Sequence, residues 1–335
     1  MSWHSLGSLA LPYQLQRQGV FLRTEISRLG VELTTGQTAT PQRHLRGDTG
    51  PLAAIETRLS RIDAYQQNAR LVATRVDASQ TALGQLATLR NDTASRMLTV
   101  ATAGISDEAL SGAGRSAKAA LNDAVSALSL RVSGQAVFSG AANTTSPLPD
   151  ADAIIGAIMP LVSGLSSAQS VASTVEAAFN DPGGLFEATL YQGADAVSGA
   201  ILGDGGQSVT QPTAADPAIR SLLSGLVLGA LAAEASMALP VDQRRALVQS
   251  SATALVENSD ALTGLQADTG DAQASVEAWL LQVSTERDAL HNARNTLIGV
   301  DPYEAATRLE EARAQLETLY TVTARTSRLS LTGYL

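Results

Sequence analysis

From Leu15 to Leu33 the apolar positions fall at Leu15, Leu22, Ile26, Leu29 and Leu33. This alternation of four- and three-residue steps puts one seam along an α-helix. Gly36, Pro41 and Gly47 stop it. A second helix is predicted from Asp48 or Pro51 to about Ala103, carrying a seven-residue repeat through Leu52, Ile55, Leu59, Ile62, Ala69, Val76 and Leu83. At 1.5 Å per residue it spans roughly 75 Å. Gly104 closes it and Ser106 is placed to cap the next helix. That helix has a stripe of Leu110, Ala117, Leu121, Val125, Leu128 and Val132 running to Gly134.

The pattern changes at Gln135, and the chain to about Pro240 is rich in Gly, Ser and Pro. Ala151 to Phe179 reads as one or two helices broken at Pro160. LFEATLY, DAVSGAIL and SVTQPT follow the turn signal NDPGG and read as short strands, the last two joined through GDGG as a hairpin. Asp216 and Pro217 open a short apolar helix. A helix of roughly 85 Å is predicted from Val241 to Ile298. Gly299 ends it, and Asp301, Pro302 and Glu304 supply an N-cap, a first-turn proline and a capping-box partner for another. The closing helix repeats Leu309, Ala312, Leu316, Leu319 and Thr323, a seam matching the one at Leu15 to Leu33. The two terminal helices are expected to pair as an antiparallel hairpin. Leu331, Tyr334 and Leu335 run past that seam and call for burial against other subunits.

Composition agrees with long helices. Aromatic residues are 4% of the 335 while apolar residues reach 44%. The absence of cysteine excludes disulfide scaffolds, thiolate metal sites and cysteine nucleophiles. A net charge of −9 argues against a general nucleic-acid surface. The charge is unevenly spread: residues 1–135 hold 14 basic and 10 acidic side chains, and residues 136–240 hold 1 and 9. The apolar runs at 153–165 and 222–233 are too short to span a bilayer, and the N-terminus lacks the features of a cleaved signal peptide.

Candidate chemistry is sparse. WHSLG places Ser5 in a partial nucleophile-elbow pattern but leaves no room for the strand that an elbow needs, so an unstructured segment is expected there. His4, His44 and His291 lack metal-ligand spacing. Asp150 and Asp152 fit helix capping better than a cation site, and GDGG lacks the Lys and hydroxyl residue of a phosphate loop. No catalytic, cofactor or metal residue is assigned. Arg17, Arg23 and Arg28 could face Glu310, Glu311 and Glu317 across the terminal helices and set their register.

Four stretches in order resemble the flagellin superfamily, and within it the proteins of the hook–filament junction: ISRLGVELTTGQ, LSRIDAYQQNARLVATRVDASQTALGQL, GQAVFSGAANTTSPL and DPYEAATRLEEARAQLETLYTVTARTSRLSLTGYL. The loop TATPQRHLRGDTGP and the ending LSLTGYL depart from filament flagellins. The resemblance implies a mainly α fold, with long antiparallel coiled-coil helices made from both chain ends and a small α+β middle region containing a β-hairpin. Its parts are an export segment and inner-tube helix at 1–45, two halves of a helical core at 46–134 and 241–299, a middle region at 135–240 and a second inner-tube helix at 300–335. It implies a non-enzymatic adaptor without cofactors, exported through the flagellar type III pathway without signal cleavage to an extracellular position on the flagellum. Expected partners are the first junction protein on the hook side, flagellin on the filament side, further copies in a ring or helical layer, and an export chaperone, with neither nucleic acid nor membrane. Subunit packing is expected at Leu15, Leu22, Ile26, Leu29, Leu33, Leu309, Leu316, Leu319, Leu329, Leu331 and Leu335. The alternatives are a flagellin that polymerises into the filament, or a secreted coiled-coil translocator or effector using the runs at 153–165 and 222–233 on a membrane.

Overall fold

The computed structural model describes residues 5–102, 106–196, 200–201, 208–234, 237 and 239–332. Side chains of 5–12, 200–201, 208 and 327–332 fall outside the description. The chain is mainly α, with small antiparallel β-pairs. It divides into two compact units, residues 1–63 with 283–335 and residues 64–282.

The first unit holds α1 (Ser5–Thr35), the short α2 (Pro41–His44), α9 (Pro302–Thr332) and one end each of α3 (Gly50–Thr102) and α8 (Val241–Ile298). α1 is helical from Ser5, so the segment expected to lack structure has it from that residue onward. Both predicted stop signals act as glycine stops. Gly36 takes φ +66, a left-handed conformation that suits glycine, and Gly299 donates to the Asn295 carbonyl at 2.7 Å. The two stops are tied together: Thr38 donates to the Ile298 carbonyl at 2.8 Å and Val300 to the Gly36 carbonyl at 3.0 Å. Asp301 then caps α9 by accepting from the Tyr303 backbone at 2.8 Å. Glu304 turns to Arg308 at 2.5 Å.

In the second unit α7 (Pro217–Leu231) is the buried centre, packed against α4 (Asp107–Leu128) and α6 (Ala168–Asn180). Small residues allow this closeness: a Cβ on Gly229 would meet Ala117, Met97 and Ser251 at 2.8 Å. Apolar residues of α5 (Ala151–Val162), α3 and α8 complete the core. Pro160 lies inside α5, which continues to Val162, so the break falls at 163–167 rather than at the proline. A proline removes a bond one turn back, and it is tolerated here where the helix is about to stop.

Two local expectations are corrected and a third holds. Val132 leaves the α4 stripe for β1 (Arg131–Val132), which pairs with β2 (Gln135–Ala136) through Ser133 and Gly134, at φ +52 and +79. Two consecutive left-handed residues make the two-residue turn whose twist matches a hairpin. LFEATLY is not a strand: Phe186–Leu190 form a π-helical turn. The Phe186 ring lies 5.6 Å from that of Phe179 and 6.1 Å from that of Tyr191, so tertiary aromatic packing overrode the strand-like alternation. The expected hairpin is present as β3 (Ala200–Ile201) against β4 (Ser208–Val209), and the GDGG connection lies outside the described residues.

The apolar runs assigned to a membrane-acting alternative are spent on this core. Ile154, Ile155, Ile158 and Val162 are buried in α5, as is nearly every residue of α7. Among the described residues no helix is long and apolar enough to cross a membrane.

Candidate assembly surface

α1 and α9 pack antiparallel, as Gly19 against Leu319, Arg23 against Tyr320 and Gln37 against Gly299 show. Leu22 and Leu29 are buried on α1, and Leu309, Ala312 and Leu319 on α9, while Leu15, Ile26 and Leu316 are half-buried. Leu29, Leu309 and Ala312 form one cluster with Ile26 beside it. Leu33 is exposed. Leu329 and Leu331 lie on the backbone of α9 with their side chains outside the description, and Leu335 lies outside the described residues altogether.

The seam is therefore largely consumed within the chain, and the uncovered apolar surface lies elsewhere. Tyr13, Val20 and Val31 are 67%, 57% and 48% exposed. Spaced by seven and eleven residues, they share the face of α1 opposite Leu22 and Leu29. Phe21 is 65% exposed beside them, and α9 adds exposed Tyr303, Tyr320 and Val322. In the sequence this outer face is carried by the seven- and eleven-residue spacing of Tyr13, Val20 and Val31, a signal separate from that of the seam.

The expected ion pairs between α1 and α9 are replaced by other contacts. Arg23 donates to the Tyr320 hydroxyl at 2.6 Å through Nη2, with its guanidinium carbon 5.7 Å from the ring centroid. Arg28 pairs within its own helix with Glu25 and, at 2.7 Å, with Glu32, and Glu310 pairs with Arg313. The geometry has a simple cause: partners three or four residues apart on one helix meet without ordering a second element. The Arg28 hydrogen bond holds the Glu25 carboxyl below its ordinary range, and Glu25 in turn raises Arg28. Glu32, buried at 4% exposure, also accepts from the Ala39 backbone at 3.0 Å and the Thr38 hydroxyl at 3.3 Å. One carboxylate thus fastens the loop that ends α1.

In the second unit, the GQAVFSG stretch is a structural knot. Arg75 of α3 donates to Gln135 at 3.2 Å and to the Ala136 carbonyl at 3.3 Å, and burial pushes its pKa down. Phe138 is fully buried and its carbonyl accepts from Ala214 at 2.9 Å. Ser139 bonds the Thr145 carbonyl at 2.7 Å.

Among the described residues, those singled out for possible chemistry take structural places. Ser5 is the first residue of α1, while Trp3 and His4 lie outside the described residues. Asp150 caps α5 through the Ala153 backbone at 2.7 Å, and Asp152 pairs with Lys118 at 2.7 Å. Among the described residues no three His, Asp or Glu cluster as a metal site.

Residues 247–335 match the family model of the bacterial flagellin C-terminal helical region. A comparison with curated proteins finds no match. Among solved structures, the chain is similar to one assigned as a flagellar hook-associated protein from Vibrio parahaemolyticus, at 14% identity and a TM-score of 0.50, covering 73% of this chain and 95% of that one. The matched stretch takes in most of α8 and all of α9, and the chain shares its fold with that Vibrio structure over 73% of its length.

Proposed function

We propose that this chain is a structural subunit of the bacterial flagellum, assembling through its terminal helices as an adaptor between hook and filament. The observation that carries the reading is the second apolar face of α1. A lone two-helix hairpin that already buries one seam leaves Tyr13, Val20 and Val31 in water. Surface of this kind is stabilised when further copies cover it. The flagellin C-terminal match and the fold shared with the Vibrio protein support an axial role, in which packing rather than catalysis is the activity. In this reading Leu329, Leu331 and Leu335 extend the packing surface, the neighbours are the first junction protein and flagellin, and the subunit reaches the cell exterior by chaperone-assisted export without signal cleavage.

A second reading is favoured by the flagellin match itself: a subunit that polymerises into the filament. Incubation of the purified protein with isolated hooks bearing the first junction protein, and separately with sheared filament seeds, distinguishes the two by negative-stain electron microscopy. A short cap on hooks that does not elongate is the expected result, and long growth from seeds would overturn the adaptor reading. Val20→Asp should abolish capping while leaving the monomer's helicity unchanged. Undiminished capping by that variant would refute the role given to the outer face of α1.

A further inference from the structure

The chain leaves α2 through a tight turn that carries Arg46, Gly47 and Asp48. Gly47 donates to the Gln42 carbonyl at 2.9 Å and Arg46 to the Arg43 carbonyl at 3.2 Å, the crossed bonds that end a helix on a left-handed residue. That residue is Arg46, at φ +52. Asp48 then donates to the Leu45 carbonyl at 3.0 Å and Thr49 to the Gly47 carbonyl at 3.1 Å, so every N–H from Arg46 to Thr49 is bonded locally. The backbone of the turn is thereby held in one shape.

A left-handed helix stop is most often glycine, because a Cβ is unfavourable there. Here glycine stands one position later, as Gly47 at φ +91, and an arginine occupies the stop. Outliers of this kind cluster where recognition depends on them. The side chains point the same way. Arg46, Gly47 and Asp48 are all exposed, and neither charged side chain makes an ion pair or hydrogen bond among the described residues. In the same unit Arg23 has Tyr320, Arg308 has Glu304 and Arg313 has Glu310.

A fixed turn with an unpartnered guanidinium and carboxylate, separated by a glycine that permits close approach, fits a cleft with two complementary ends. A divalent cation short of one oxygen ligand takes the carboxylate, and an acidic pocket takes the planar guanidinium. Holding both groups on a fixed turn lowers the ordering cost of binding. Arg-Gly-Asp is the tripeptide that adhesion receptors of the integrin class read through such a cleft.

We propose that the turn at Arg46, Gly47 and Asp48 is a ligand for a cell-surface receptor of this chemistry. The Asp48 carboxylate completes the shell of the receptor's cation and the Arg46 guanidinium enters its acidic pocket. The contact uses none of the apolar surface of α1 and α9, and it draws on the assembly reading only for an extracellular location.

The test passes the purified full-length chain over an immobilised integrin ectodomain of the class that reads Arg-Gly-Asp, in buffer containing Mn²⁺, with binding followed by surface plasmon resonance. Saturable binding is expected, lost in EDTA and competed by a cyclic Arg-Gly-Asp peptide but not by its Arg-Gly-Glu counterpart. Asp48→Glu keeps the charge but lengthens the side chain, so it should bind at least about tenfold more weakly with unchanged helicity. Arg46→Gly separates recognition from folding. Glycine takes φ +52 without strain, so this variant should melt no lower than the unaltered chain and still lose at least about tenfold in affinity. No binding in Mn²⁺, binding that survives EDTA, or full binding by either variant would overturn the proposal. Hook capping is read in a separate assay, so either reading can fail without the other.

Discussion

Replacing Gly140 with alanine should unfold the second unit more easily by about 3 kcal/mol. Gly140 adopts φ +58, and a left-handed conformation costs a residue with a Cβ about 1 to 2 kcal/mol. The added Cβ would also lie under 3.0 Å from the carbonyl oxygens of Ala194 and Asp195. Relieving that clash pulls apart the bonds from Ala141 to the Asp195 carbonyl at 3.1 Å and from Ala194 to the Ser139 carbonyl at 3.0 Å. Each is worth about 1 kcal/mol net. Loss of glycine's freedom in the unfolded chain returns about 0.4 to 1 kcal/mol, which leaves about 3. For a unit of this size that lowers the melting temperature by roughly 6 to 12 °C. Gly134→Ala is the control, because Gly134 has φ +79 with nothing within 4 Å of the new carbon, so it should lose only the conformational cost. Calorimetry of the full chain reads the magnitude, and hydrogen exchange at Ala141 and Ala194 reads the place. A Gly140→Ala loss no larger than that of Gly134→Ala, or unchanged exchange at those two amides, would refute the close-approach argument.

Other expectations follow from single contacts. Leu29→Ala empties the middle of the α1–α9 seam and should cost about 2 kcal/mol, the low end for a buried leucine because the cluster is small. Loss of helical circular dichroism on mild heating checks it. Asp150→Ala removes a side-chain cap and should lower stability by about 1 kcal/mol in urea unfolding, whereas Asp150→Asn should cost much less. The depressed Glu25 carboxyl contributes stability that is present above its unfolded value, near 4.5, and is lost as the pH falls through its lower folded value. Between about pH 5 and 2 the native chain should therefore lose more stability than Glu25→Gln, and parallel acid limbs in thermal melts would contradict this.

The sequence by itself determined how the terminal helices stop and start, because those signals are local. A glycine at positive φ, an aspartate followed by proline, and apolar residues at seven-residue spacing act within one or two turns of backbone. The stops at Gly36 and Gly299, the cap at Asp301 and the α1–α9 seam appear as read. Only the tertiary structure decided what distant residues do for one another. Phe186 packs in a π-helical turn between two other rings, and Arg23 meets Tyr320 although Glu310, Glu311 and Glu317 on the closing helix suggested ion pairs. Helical hydrogen bonds reach four residues along the chain, so periodicity can show which face a helix buries, but the packing of one helix on another chooses what that face, and the opposite one, will meet.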